Sequence, residues 1–174
     1  MTKDTGDLDG IAADERAAYL DMRRRVAGTN INEKTLLATD YLNHFNEIVM
    51  LLEIIPDSPE CLADTRSWTP KDYPRHFADS SLSEKTLAIE AYGCVPRKYR
   101  EPFEEIVDRL DRLIATTLGR LEQALGANDA EAARLLCTEG SRSLQGLVSL
   151  ASAVIHGDAA ALAQAEIDAV LSGD

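Results

Sequence analysis

The chain has 174 residues, of which 45% are hydrophobic and 28% are charged, and this composition is typical of one soluble globular domain. Its net charge of −12 would repel a phosphate backbone, so we expect no nucleic-acid partner. Three scattered cysteines, the lack of an apolar signal segment and the lack of a long apolar run predict a cytoplasmic protein with no membrane partner.

The N-terminal segment is polar, acidic and glycine-containing, which predicts a disordered tail over residues 1–10. A single domain is expected over residues 11–174. Its first helix is predicted over 12–27, because apolar residues recur at helical spacing there and Gly28 is a good C-terminal stop.

A second, longer helix is predicted over about 30–55. Asn30 followed by Glu33 has the spacing of a capping pair at its start, and Pro56 ends it.

The next segment, residues 56–81, holds four of the six prolines and the single tryptophan, Trp68. Ser58 and Thr69 each precede a proline, an arrangement that favours an N-cap followed by proline at the first helical position. We therefore predict two short helical turns here, with aromatic side chains such as Tyr73 packed over the helices.

The rest of the chain shows helical spacing punctuated by glycine, and no strand-like alternation occurs. These patterns predict an all-α fold, an up-down helical bundle with an irregular proline-rich crossover of short helices. The further predicted helices cover 82–92, 103–125, 129–156 and an alanine-rich segment that ends near 171.

The stretch TDYLNHFNEIVMLLEII, residues 39–55, places a histidine in the most apolar part of the chain. At about 100° per residue, His44 lies at the centre of the apolar face, with Asp40 and Glu47 one turn to either side. Buried ionisable groups are costly unless they are paired, so these three side chains need partners. One interpretation is a hydrogen-bonded network in the core, and the other is a metal site with these three residues as ligands.

The metal interpretation does not extend to a di-iron centre. Di-iron bundles use Glu-x-x-His on two helices, whereas His44-x-x-Glu47 has the reverse order and occurs once. A mononuclear site that also draws on His76 is the remaining form of this hypothesis. The sequence does not identify a cofactor.

Gly140 lies in the middle of the apolar face of the helix predicted over 129–156. A glycine inside a helix costs roughly 1 kcal/mol relative to alanine, which indicates that something occupies the space beside it. The candidates are another helix, an aromatic ring such as Tyr41 or Trp68, or a small molecule in a cavity.

No catalytic motif is recognisable, so we expect a non-catalytic, acidic, cytosolic binding or regulatory module. Its partner would be a second copy, forming a homodimer, or another protein. Trp68, Tyr73 and His76 make the crossover the candidate surface, because aromatic residues are enriched at interfaces. The alternative is that the crossover is a lid over the core.

A second hypothesis is a helical bundle that binds a metal or a small ligand, with enzymatic activity left open. Both hypotheses together select seven candidate ligand-binding residues, of which the first three are the candidate metal ligands: Asp40, His44, Glu47, Trp68, Tyr73, His76 and Gly140.

Overall fold

The computed structural model describes residues 8–172, apart from the side chains of residues 165, 166, 169, 170 and 172. Within this range the chain is helical and has no strand, which confirms the predicted all-α class. Most of the predicted tail, residues 1–7, lies outside the described range. The helices are α1 (Arg16–Val26), α2 (Asn43–Ile54), α3 (Leu62–Thr65), α4 (Tyr73–Asp79), α5 (Lys85–Tyr92), α6 (Arg97–Gly126), α7 (Ala130–Ile155) and α8 (Ala159–Ser172), with 3-10 turns at Thr39–Leu42 and Pro59–Cys61.

The two longest helices, α6 and α7, pack against each other at the centre of the bundle. Three residues join them, with Asn128 in the left-handed conformation at φ 56°. The carboxylate of Asp129 then caps α7 by accepting a hydrogen bond from the backbone N–H of Ala132 at 3.0 Å. Because α2 packs along α7 and α8 folds back on both long helices, the arrangement is the predicted up-down bundle.

The second helix is shorter than predicted. The prediction of a helix over 30–55 capped by Asn30 was wrong, since α2 begins only at Asn43. The side chain of Asn32 accepts hydrogen bonds from the backbone N–H groups two and three residues further on, at 2.9 and 3.0 Å. This closes one turn, and Leu36 at φ 63° then takes the chain out of the helical conformation.

The loop that replaces the start of this helix covers residues 31–38 and docks on the C-terminal end of α7. Lys34 donates from Nζ to the backbone carbonyl of Gly157 at 2.9 Å, and Thr35 donates from Oγ1 to the carbonyl of Ile155. These donors satisfy carbonyl groups that have no partner within the helix, and the lysine charge suits the negative end of the helix dipole.

In the crossover, one predicted helical turn forms and the other does not. The chain is helical after Ser58, as expected, but the prediction of a helix start at Thr69 was wrong. The next helix, α4, begins at Tyr73, because Asp72 serves as its cap and accepts a hydrogen bond from the backbone N–H of Arg75 at 2.8 Å.

Two further helix starts differ from prediction. The helix predicted over 82–92 begins at Lys85, and Glu84 just before it accepts a hydrogen bond from the backbone N–H of Asn30 at 3.3 Å. The long helix α6 begins upstream of its predicted start, at Arg97, and carries Pro102 in its interior. Proline lacks one backbone donor but is tolerated here within a buried and well-packed turn.

Candidate functional site

The crossover is fastened to the bundle by Trp68. Its indole stacks on the imidazole of His44, with ring centroids 4.5 Å apart and planes 17° from parallel. Its Nε1 donates to the backbone carbonyl of His44 at 2.8 Å. Tyr73 and Phe77 are buried as well, at 2% exposure each. The crossover aromatics therefore point inward, as expected of a lid.

His44 of α2 and His76 of the crossover come together where these two segments meet, with ring centroids 6.1 Å apart. The Nε2 atom of His44 is buried and has no hydrogen-bond partner among the described residues. Burial, followed by repulsion from His76 and Lys71, lowers the pKa of His44 to about 4, while hydrogen bonding to the Thr69 backbone acts in the opposite direction. Burial and then Lys71 also lower the pKa of His76. Both imidazoles are thus held in the neutral form.

The predicted cluster of Asp40, His44 and Glu47 is dispersed. Asp40 lies half-buried in a 3-10 turn beside His76, and Glu47 lies exposed on α2. Because Asp40 precedes the α-helix, a wheel with 100° per residue does not describe its direction. Within residues 8–172, no three His, Cys, Asp or Glu side chains are placed to hold a metal ion.

Gly140 allows two helices to approach closely. A Cβ atom built at this position would lie 2.7 Å from Cγ2 of Thr117 on α6 and 3.5 Å from Cδ1 of Leu52 on α2. Of the predicted explanations, close approach of another helix is the one that fits this geometry. Gly140 is therefore a packing position.

A cleft that the sequence analysis did not predict lies between the crossover and α6. Its volume is about 210 Å³. Four aromatic and four acidic side chains account for nearly all of its lining, which is Tyr41, Tyr73, Tyr92, Phe103, Asp72, Glu104, Asp108, Asp111 and Val107.

The aromatic wall of the cleft is held in place by stacking and hydrogen bonds. The rings of Tyr73 and Tyr92 stack with centroids 4.7 Å apart, and Tyr41 packs on Phe103 at 5.7 Å. The hydroxyl of Tyr41 donates to the backbone carbonyl of Lys71 at 2.7 Å. Burial raises the pKa of all three tyrosines, so their phenols remain neutral. The wall is thus rigid and uncharged.

The acidic side chains of the cleft differ in how well they are partnered. Asp108 pairs with Arg112 at 2.9 Å, and Glu104 accepts a hydrogen bond from the hydroxyl of Tyr92 at 2.6 Å. Oδ1 of Asp111, in contrast, is buried and has no hydrogen-bond partner within the described part of the chain. Burial, and then the nearby charge of Asp108, raise the pKa of Asp111 to about 6. This carboxylate oxygen therefore lacks a donor within residues 8–172.

A signal for Asp111 was present in the sequence. Salt-bridged pairs of acidic and basic residues, such as Asp108 with Arg112, lie on the exposed face of this helix. Asp111, however, lies only about 60° from the buried Ile114 on the helical wheel, at the edge of the apolar face. An acidic side chain at such an edge lies against the segment that packs over the helix.

The other described cavities are less suited to a ligand. One of about 120 Å³ lies beside α5, where Glu84 and Asn30 already bind each other. Another, of about 470 Å³, is an open groove beside Arg23 and Arg24 on α1. Neither combines aromatic faces with a carboxylate that lacks a partner.

Comparison with protein-family models, with curated proteins and with solved structures finds no match for this chain. Among the described helices, none has both the length and the apolar character needed to cross a membrane. The chemistry of the cleft therefore has to be inferred from its own residues. Aromatic faces and carboxylates both attract positive charge.

Proposed function

We propose that this chain is a non-catalytic binding module that holds a small organic cation in the cleft between the crossover and α6. The observation that carries the proposal is the buried Oδ1 of Asp111, which has no hydrogen-bond partner among the described residues and lies in a cleft lined by Tyr92, Tyr73 and Phe103. A cation there would offset the cost of the buried carboxylate and lie against the aromatic faces.

The lining also favours one kind of cation. A carboxylate oxygen without a partner is satisfied by an N–H donor, which primary ammonium and guanidinium groups have and quaternary ammonium groups lack. The volume of about 210 Å³ is below the range of roughly 300–1,000 Å³ for drug-sized ligands, so the ligand would be small. A net charge of −12 would raise the local concentration of any such cation.

The other functional expectations remain predictions. The inward orientation of Trp68, Tyr73 and Phe77 leaves the crossover with fewer aromatic anchors for a protein partner. A homodimer or another protein partner would have to use a different face. We also propose a cytoplasmic location, which the three free cysteines and the acidic composition support.

Thermal unfolding with added cations tests this proposal. We expect butylammonium to raise the midpoint saturably, tetramethylammonium to do so less, and Asp111→Asn to remove the response. Glu105→Gln is the matched control, because it removes a charge from an exposed position of the same helix. Equal responses in the Asp111→Asn and Glu105→Gln variants, or none in the unmodified chain, would overturn the proposal.

A further inference from the structure

The cleft has two acidic ends that share one side of α6. Glu104 and Asp111 are seven residues apart, which is about 10 Å along the helix axis and within roughly 20° on the wheel. Val107 and Asp108 lie between them and also line the cleft, and the charge of Asp108 is paired with Arg112. The lining therefore runs from one carboxylate, past apolar surface, to a second carboxylate.

The two ends differ in depth. At the inner end, Oδ1 of Asp111 is buried, and its charge is felt by the buried Tyr41. At the outer end, Glu104 is exposed and bound to the hydroxyl of Tyr92. Asp72 also lines the cleft, and its charge acts on Tyr92 as well. The outer end thus offers two exposed carboxylates, and the inner end offers one that is partly exposed and has one buried oxygen.

The surface between the ends suits methylene groups. Val107 and Tyr92 are half-buried and supply accessible apolar surface, while Phe103 and Tyr73, at 1% and 2% exposure with rings 6.0 Å apart at 83°, form the packed layer behind it. Neither ring supplies a charge. A flexible alkyl chain could lie along this wall while both of its ends meet carboxylates.

We infer that the ligand is an alkyl diamine, a refinement that rests on the proposed function. One ammonium group donates hydrogen bonds to Asp111, and the chain lies against Tyr92 and Val107. The second ammonium group meets Glu104 and Asp72. Both charges are then paired with hydrogen-bond acceptors, which makes the contacts charge-assisted. A monoamine could satisfy only one end.

The length of the ligand follows from the spacing of the two ends. An extended chain advances roughly 1.2 Å per bond. Because the two residues lie about 10 Å apart along α6 and the hydrogen bond at each end takes up part of that distance, the nitrogens should be separated by about five to seven bonds. That range corresponds to diaminobutane through diaminohexane.

Isothermal titration calorimetry tests the inference. The ligands are diamines from diaminoethane to diaminooctane, and each is compared with the monoamine that has the same number of carbon atoms. We expect the tightest binding at intermediate length and an advantage over the monoamine of about tenfold or more. Glu104→Gln should bring the diamine close to the affinity of the monoamine and leave monoamine binding unchanged. Asp111→Asn should abolish the binding of both. Glu101→Gln, an exposed Glu one turn away on α6, is the matched control and should change neither.

The outcomes separate this inference from the proposed function. If monoamines and diamines bind equally well, with no optimum in length and no effect of Glu104→Gln, the two-ended ligand is excluded while the organic-cation site stands. If no amine of either kind binds the unmodified chain, both proposals fail. Circular dichroism of each variant at the titration temperature establishes that loss of binding is not loss of fold.

Discussion

Trp68 contacts His44 twice, through its ring and through its indole N–H. The rings stack with centroids 4.5 Å apart, and Nε1 reaches the backbone carbonyl of the same histidine at 2.8 Å. One tryptophan thereby ties the crossover to α2. Any charge that develops on His44 develops beneath this contact, so the protonation of His44 is coupled to the stability of the lid.

This coupling predicts a loss of stability in acid. The folded chain lowers the pKa of His44 from 6.5 to about 4, so between these values the unfolded chain binds more protons. The contribution of neutral His44 is complete above about pH 6.5 and is lost as the pH falls toward 4. We expect the protonation of His44 to lower the free energy of unfolding by about 2 kcal/mol between roughly pH 7.5 and pH 5. Urea unfolding at both pH values measures this change.

Two variants separate the contribution of His44 from that of the carboxylates, which also bind protons in acid. His44→Phe keeps a ring beneath Trp68 but cannot be protonated, so its stability should fall by about 2 kcal/mol less over the same interval. His156→Phe replaces an exposed histidine and should retain the full dependence. An unchanged pH dependence in His44→Phe would contradict the assignment.

A second prediction concerns the close approach of α6 and α7. Gly140→Ala should destabilise the fold by about 1–2 kcal/mol, because its Cβ would lie 2.7 Å from Cγ2 of Thr117, whose side chain is itself buried at 6% exposure. The clash outweighs the gain in helix propensity of roughly 1 kcal/mol. Gly146→Ala, on the same helix with nothing within 4 Å, should instead stabilise by up to about 1 kcal/mol.

A double-mutant cycle in urea tests the cause of this effect. Thr117→Ser removes the methyl group that meets the new Cβ, so Gly140→Ala should be nearly harmless in that background. If Gly140→Ala costs the same in both backgrounds, the contact with Thr117 is not the reason for the glycine.

A third prediction concerns the turn that replaces the start of the second helix. Asn32→Ala removes the acceptor for two backbone N–H groups and should lower the unfolding free energy by about 1–2 kcal/mol. Asn32→Asp keeps an acceptor and should retain most of the stability. Asn46→Ala, at an exposed position of α2, should cost nothing. Equal losses in Asn32→Ala and Asn32→Asp would show that the side-chain turn is not what holds this loop.

The same turn explains why the fold could be predicted from the sequence only in part. Most helices and the all-α class follow from apolar periodicity and from glycine or capping residues at the helix ends, as with Gly28 and Asp129. The segment 31–38 has a helical pattern too, yet Asn32 offers the backbone a competing local turn. Docking of Lys34 on the end of α7 then favours that turn, and such a contact depends on the tertiary structure.

The cleft could not be predicted from the sequence, for a related reason. Its lining comes from the 3-10 turn, the start of α4, the end of α5 and the first half of α6. No spacing rule relates Tyr41 to Asp111, which are 70 positions apart in the chain. The histidine cluster was partly predicted: His44 is buried, as its wheel position indicates, and His76 lies near it, whereas Glu47 is exposed.

The last prediction concerns the cost of keeping Asp111 without a partner. Its pKa is raised from 3.8 to about 6, so between these values the folded chain binds more protons than the unfolded chain. Stability is therefore lost as the pH rises through this range, and the loss is complete above about pH 6. Asp111→Asn should raise the unfolding free energy of the ligand-free chain at neutral pH by about 1–2 kcal/mol, a value reduced from the full shift because the side chain is partly exposed.

This gain in stability should accompany the loss of cation binding, as expected of a residue retained for function at the expense of the fold. Urea unfolding of Asp111→Asn at neutral pH and near pH 4, with and without diaminobutane, measures both effects. The gain should vanish near pH 4, where the carboxyl group is protonated in the folded chain, and Asp21→Asn at an exposed site of α1 should show neither effect. An Asp111→Asn variant that is less stable at neutral pH would mean that the carboxylate has a stabilising partner in the free chain, which would remove the main reason to place a cation beside it.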